Sequence, residues 1–312
     1  MIKEKRPAII CYGYCQAGAI HKCLCQIPWI IEHFDLYSQD LSDFPQPPEP
    51  EILERCTHFI YQLTPIDTLP DWGRLLASKV HAVRFPCLYC EPVWPQHSAG
   101  FYDPRQPELQ CGLFPYGDSV LLDALKGERS TSAIVDEYLL MDLSTVFPME
   151  KLTAGWRKLL EKLDEHTDIP VAEYVWTEWR RRRLFWTVNH PSNELVGHIL
   201  RTLLRGLFGT EISEKAITEA LRQHEMKYEV QPVHPSIARS LGLSWFSTDA
   251  HHRPDGTVFL REWATSYVDH CRSLQRFLVE NGFSAALPGS EQAGSPQVTS
   301  NAATLVRLVH SR

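Results

Sequence analysis

The chain has 312 residues, 44% of them hydrophobic and 22% charged, and carries a net charge of −7. This length holds one large domain or two modest ones, and the composition is that of an ordinary globular protein. The negative balance speaks against generic nucleic-acid binding, which needs a basic surface. No apolar run reaches the ~20 residues of a bilayer-spanning helix, so no stable membrane insertion is expected.

The opening MIKEKRPAIICYG is basic, but its apolar run is shorter than the core of a signal peptide. It reads instead as a first strand, Pro7 to Tyr12, and the protein is expected in the cytoplasm. Gly13 supplies a turn, and Gln16 to Ile27 carries Ala, Ile, Leu and Cys at helical spacing. WIIEHFDLY follows, and then DFPQPPEPE, whose prolines make it a loop. THFIYQL reads as a strand, DWGRLLASK as a helical turn or two and VHAVRFPCLY as another strand. Such β–α alternation predicts an α/β fold, an open and mostly parallel sheet flanked by helices.

The middle of the chain is helical. YGDSVLLDALKG places Asp118 and Ser119 at a helix start and Gly127 near its end. MEKLTAGWRKLLEKLDEHT has a clear amphipathic period, and a further helix is expected from Val171 to Arg182. Leu184 to Val188, LFWTV, reads as a strand. Pro191 and Ser192 then start a helix that Gly209 ends. If both strands belong to one parallel sheet, the turns after Tyr12 and after Val188 open on the same edge. The remainder carries two or three helices, including Phe259 to Asn281, and a Gly/Ser/Pro-rich tail. The expected organisation is an α/β domain over 1–210 with a helical insertion around 118–183. A helical extension over 211–285 would pack on it, and 286–312 would form a loose tail.

Nine cysteines, an odd count in a long chain, argue against a secreted disulfide scaffold. Cys23-x-Cys25 and Cys87-x-x-Cys90 have ligand-like spacing. The first pair falls inside a helix on different faces, however, so reduced, buried thiols and no metal are expected. Cys15 is different. It follows a strand and a glycine turn, near a helix N-terminus, where the dipole and unpaired backbone N–H groups favour a thiolate. The same N–H groups suit a developing oxyanion, with Gly13 shaping the turn and Gln16 able to add a side-chain donor. A base must come from elsewhere, and His190 sits at the second strand-to-helix turn. Asp118 either orients that histidine or caps its own helix. The basic run at Arg180 to Arg183 sprays around a helix and reads first as a solvated or salt-bridged face; at most two of its members, such as Arg180 and Arg183, would grip one phosphate.

YGYCQAGAIHKCL together with RLFWTVNHPSNELV resembles the capsular-polysaccharide biosynthesis family typified by WcbI, over roughly residues 7 to 210. The aromatic-rich stretch from FPCLYCEPVWPQ to FPYGDSVLL is similar as well. The family's Gly-Asn-Cys-Gln segment stands here as Gly13, Tyr14, Cys15 and Gln16, with tyrosine in place of asparagine. Its Asn-His-Pro segment stands as Asn189, His190 and Pro191. The resemblance implies an SGNH- or thioesterase-like core and acyl transfer from coenzyme A, with acetyl-CoA as co-substrate. It further implies Cys15 and His190 at the reacting centre, Asn189 as a further oxyanion donor, and a glycan acceptor in polysaccharide biosynthesis. Two other readings stay open: a thioesterase or SGNH-like hydrolase, and a non-enzymatic protein that binds a coenzyme A-like ligand.

Overall fold

The computed structural model describes residues 5–41, 46–63, 69–109, 112–224, 226, 230–246 and 260–282. The tail expected over 286–312 lies outside the described residues, as does Phe259. The elements in chain order are β1 (Ala8–Gly13), α1 (Cys15–Leu24), α2 (Pro28–His33), β2 (Asp35–Asp40), α3 (Pro50–Arg55), β3 (Cys56–Leu63), α4 (Asp71–Ala77) and β4 (His81–Pro86). Then come β5 (His97–Ala99), β6 (Tyr116–Asp118), α5 (Ser119–Ala124), α6 (Thr131–Leu140), α7 (Leu143–Val146) and α8 (Met149–His166). The chain continues with α9 (Ala172–Glu178), α10 (Asn193–Phe208), α11 (Glu214–Gln223), α12 (Pro235–Leu241) and α13 (Leu260–Glu280). No described helix is long and apolar enough to cross a membrane.

The chain divides into two interleaved units rather than consecutive ones. The first joins residues up to Tyr89 with Arg157–Glu229, and the second joins Cys90–Trp156 with the residues from Val230 onward. α8 runs through the division at residues 156 and 157.

In the first unit the strands pair in parallel in the order β2-β1-β3-β4. β1 is buried along its whole length, which explains its uninterrupted apolar sequence. Side chains alternate between faces along a strand. Ile10, Tyr12 and Phe59 join Leu76 in one cluster, with Ile52, Leu53 and Trp72 of α3 and α4 packed against it. Trp72 meets Tyr12 edge-on, the ring centroids 5.3 Å apart. Ile9 and Cys11 take the opposite face, and α1 packs on β1, β2 and β3. This arrangement follows from right-handed crossovers, since the chain steps outward from β1 to β2 and then in the reverse direction from β2 to β3 and β4. The order therefore reverses between β1 and β3. Ligands of open α/β sheets bind at such a switch point, beyond the carboxyl ends of the strands.

The apolar run LFWTV is not a strand of this sheet. Leu184 to Ser192 forms a tight buried loop closed by an antiparallel bridge between Phe185 and Pro191. The Trp186 N–H donates to the His190 carbonyl and the Ser192 N–H to the Leu184 carbonyl, both at 2.8 Å. Phe185, Trp186 and Val188 are buried, so their apolar character reflects the interior they occupy rather than a ladder. α10 starts immediately afterwards at Ser192 and ends at Gly209, where φ is +61°. It buries Leu195, Val196, Ile199, Leu200, Leu203 and Leu204 on one stripe. α9 stops at Glu178, a turn before the expected Arg182.

The second unit holds the two-stranded antiparallel sheet of β5 and β6. It also holds α5, α6, α7, α12 and α13, with α13 packed on α5 and α6. The α/β expectation thus holds, with a parallel sheet flanked by helices and a helical C-terminal region.

Candidate functional site

The site begins where β1 turns into α1. Gly13 has φ +153°, and a Cβ there would lie 2.6 Å from the Cβ of Gln62 and 2.9 Å from that of Ala17. Only glycine lets the turn approach β3 this closely. Tyr14 occupies the N-cap position in extended conformation and makes no side-chain cap bond. Its N–H donates instead to Gln62 Oε1 at 2.9 Å. Cys15 is the first residue of α1 and is half-buried. The Tyr14 carbonyl accepts from Ala17 at 2.8 Å and from Gly18 at 3.2 Å. The N–H groups of Cys15 and Gln16 therefore precede the intrahelical ladder and sit at its positive end. Cys11, four residues earlier, is fully buried inside β1, and burial pushes its thiol far up.

Gln16 is buried and its side-chain amide is committed on every side. Its Nε2 donates to the carbonyls of Leu88 and Asn189, each at 2.8 Å. Its Oε1 accepts from Gln62 Nε2 at 2.9 Å and from the Leu88 N–H at 3.1 Å. Both amide protons serve backbone carbonyls, so the side chain is a brace. This brace brings the Cys15 turn and the His190 loop together. The mechanism differs from two strands opening on one sheet edge, since the second segment is a loop held by a side chain.

His190 is almost wholly buried, and desolvation lowers its imidazole to about 4, which keeps it neutral near pH 7. Its backbone N–H donates to Thr187 Oγ1 at 3.1 Å, and that hydroxyl lies 3.3 Å from Asn189 Oδ1 as its donor. Thr187, itself fully buried, thus fixes both neighbouring residues of the loop. Cys87 follows β4, one residue before Leu88. Burial, reinforced by the nearby Cys15, pushes its thiol up to about 12.

The basic run resolves into separate environments. Arg183 lies over the Trp186 ring at 4.8 Å and donates to the Phe185 carbonyl at 3.3 Å, so it belongs to the His190 loop. Arg180 lies 4.3 Å from the Trp179 ring and 5.5 Å from Trp176. Arg182 pairs with Glu178 at 3.0 Å and with Glu194 at 2.9 Å. A shallow cleft beside them is lined by Arg157, Glu161, Glu173 and Trp176, and none of the motif residues enters it.

Asp118 belongs to the second unit. It is fully buried, and its Oδ1 caps α5 by accepting from Val120 at 2.9 Å and Leu121 at 3.0 Å. Its Oδ2 accepts from the Tyr138 hydroxyl at 2.6 Å. Burial raises the carboxyl to about 6 against these hydrogen bonds. Helix capping is the work this geometry gives it. The described cysteines form no disulfide among themselves, and among the described residues Cys23, Cys25, Cys87 and Cys90 do not gather into a group that would hold a metal.

Sequence reasoning missed Gln62 and Thr187. Gln62 carried a readable signal, a polar residue at the carboxyl end of a strand after the apolar Phe59 and Ile60, next to the strand that leads to Cys15. Thr187 carried none, because a threonine in an apolar run is ordinary for a strand.

A family model described as polysaccharide biosynthesis enzyme WcbI matches residues 8–209. No curated protein matches the chain. A solved structure of WcbI is similar over 99% of this chain and 96% of that one, with 14% identical residues and a TM-score of 0.59. It is described as the native protein without a disulfide bond between coenzyme A and one of its cysteines. At that identity the likeness speaks for the fold.

Proposed function

The chain belongs to the WcbI family of polysaccharide biosynthesis enzymes, and we propose that within it this protein moves an acetyl group from a coenzyme A thioester to a sugar hydroxyl, using Cys15 and His190. The observation that carries the reading is the Gln16–Asn189 hydrogen bond, which ties the residue after Cys15 to the residue before His190. The bond holds the turn that carries a half-buried thiol at a helix N-terminus to the loop that carries a neutral imidazole. The related WcbI structure is described by reference to a coenzyme A–cysteine disulfide. That supports a site at which the coenzyme A sulfur meets a thiol.

In the proposed reaction the Cys15 sulfur attacks the thioester carbonyl, its proton passing to His190. The carbon–sulfur bond to coenzyme A breaks, and the leaving thiolate takes that proton. The acceptor hydroxyl then attacks the acyl-cysteine, giving its proton to His190 as the Cys15 thiolate leaves. The backbone N–H groups of Cys15 and Gln16, with the Asn189 amide, hold the oxygen that becomes negative. Gly13 keeps the turn free of a side chain. Arg183 on the His190 loop and Arg180 on the tryptophan pair receive phosphates of coenzyme A. Direct transfer, with His190 deprotonating the acceptor and Cys15 only positioning the thioester, uses the same residues. The cytoplasm, where thiols stay reduced, is the proposed setting.

The test is incubation with acetyl-CoA, with and without candidate glycans, followed by mass spectrometry of the Cys15 peptide. An acetylated Cys15 that is discharged only by a glycan supports the transferase with a covalent intermediate. Turnover that needs a glycan but leaves Cys15 unmodified favours direct transfer. Steady coenzyme A release without acceptor makes the protein a thioesterase. Coenzyme A binding with no turnover under any condition makes it a binding protein.

A further inference from the structure

The buried amides of Gln62 and Gln16 form a chain whose polarity runs one way only. Gln62 Oε1 must accept, because the group facing it is the Tyr14 N–H, at 2.9 Å. Gln62 Nε2 is therefore the atom turned toward Gln16, and it donates to Gln16 Oε1 at 2.9 Å. That in turn leaves Gln16 Nε2 facing the carbonyls of Leu88 and Asn189. Flipping either amide would set donor against donor or oxygen against oxygen, so the Tyr14 N–H at one end and the Leu88 N–H with two carbonyls at the other hold both side chains in one sense. The neighbouring β3 residues Phe59 and Ile60 are fully buried and apolar, and Gln62 is only 4% exposed. Burying an amide among them is costly unless each of its groups is bonded. A fully bonded polar network in a core specifies one geometry where apolar packing would accept several.

We propose that Gln62 is a positioning residue for the candidate site. By anchoring the Tyr14 N–H and donating to the Gln16 amide, it fixes the Cys15 turn against the His190 loop. Its effect on turnover rests on the acyl-transfer reading above. Its effect on the reactivity of Cys15 does not. Gln62 acts through its bonds to Tyr14 and Gln16.

Two variants of similar volume but different chemistry test this. Gln62→Leu removes both the acceptor for Tyr14 and the donor to Gln16. Gln62→Glu keeps the acceptor and the volume but, when ionised, turns an oxygen toward Gln16 Oε1. Protonating that glutamate restores a donor at the same place, so its defect is reversible by acid. A residue that only fills space would show no such recovery.

The measurements are the alkylation rate of Cys15 by iodoacetamide, read by peptide mapping from about pH 8 to about pH 5, and kcat and KM for acetyl-CoA. For Gln62→Leu we expect an alkylation rate changed at least ~5-fold and kcat lowered ~10-fold with KM within ~2-fold, across the range. For Gln62→Glu we expect the same defect at about pH 8 and a return toward the wild-type rate at about pH 5. Rates within ~2-fold of wild type in both variants overturn the proposal. So does a Gln62→Glu defect that acid does not relieve, and so does an effect confined to KM. If Gln62→Leu does not fold, the acid reversal in Gln62→Glu decides alone. If the wild type transfers no acyl group but the Cys15 alkylation pattern holds, the acyl-transfer reading fails and the positioning role stands.

Discussion

Gln16 Nε2 donates to the Asn189 carbonyl at 2.8 Å, across 173 positions of sequence. The bond has a structural and a functional side. It satisfies a buried carbonyl in the loop that carries His190, and it holds that loop to the turn that carries Cys15. A second donation to Leu88 extends the brace to the segment that follows β4. One side chain thus gathers three separate stretches of the first unit.

Gln16→Leu keeps the volume but strips partners from the Leu88 N–H, from the Leu88 and Asn189 carbonyls and from the Gln62 amide. Each buried orphan costs about 1–3 kcal/mol. A stability loss of at least about 3 kcal/mol is expected in urea denaturation. A loss below about 1 kcal/mol would show that water replaces these bonds and that the brace is dispensable.

Gly13→Ala meets both a positive φ and a Cβ 2.6 Å from Gln62. Either the turn or the end of β3 has to move. The expected cost is about 2–4 kcal/mol, and Cys15 alkylation should change with it, since the displaced residue is the Tyr14–Gln62 anchor. Gly18→Ala is the control, because its Cβ would meet nothing within 4 Å.

His190 predicts a pH dependence of stability. Its pKa is near 4 in the fold and about 6.5 when unfolded. Between those values the unfolded chain binds more protons, so stability falls as pH falls through the window. The wild type should lose about 2 kcal/mol more than His190→Gln on going from about pH 7.5 to about pH 5. Equal losses would mean that the imidazole is hydrated in the native state. At neutral pH the same variant should retain coenzyme A binding while kcat falls roughly 100-fold or more, the usual worth of a general base.

Cys15→Ala should leave coenzyme A affinity within about 3-fold and lower turnover by roughly 100-fold or more, if the thiol forms the acyl-enzyme. Calorimetry and steady-state rates separate the two quantities. Unchanged turnover would remove Cys15 from the chemistry and leave direct transfer through His190.

In the second unit, Asp118→Ala removes the α5 cap and takes the carboxylate partner from the buried Tyr138 hydroxyl. A cap is worth about 1 kcal/mol and a buried orphan about 1–3 kcal/mol. A loss of about 2–4 kcal/mol is expected at about pH 5, where the carboxyl is mostly protonated yet still bonded. The loss should shrink as pH rises through 6, because the native carboxyl, raised to about 6, resists ionising in its buried place. A loss that grows with pH would place a compensating positive charge beside it.

The first third of the fold was legible because its signals are local. Short apolar runs ending in turn residues gave β1 and β3 to within a residue and the start of β4, which ends three residues before the expected Tyr89, and capping residues gave the starts of α5 and α10. LFWTV misled because burial and strand formation select the same residues, and periodicity cannot separate them over five positions. The interleaved units were not legible, because the contacts that define them join segments far apart in sequence and leave no composition break at the crossings.

At the site, sequence alone placed Cys15 at a strand–glycine–helix turn and put His190 beside the start of another helix. Those placements depend on backbone preferences of neighbouring residues, which a linear reading can follow. Tertiary structure decided how the two segments meet, through the bonds of Gln16 and Gln62. It also decided that the Gln16 amide braces rather than donates to a ligand, and that Asp118 serves as a cap. An amide's partners are set by whichever groups the fold brings within 3 Å, and a buried imidazole's charge by the water the fold removes. Neither quantity exists until the chain has closed on itself.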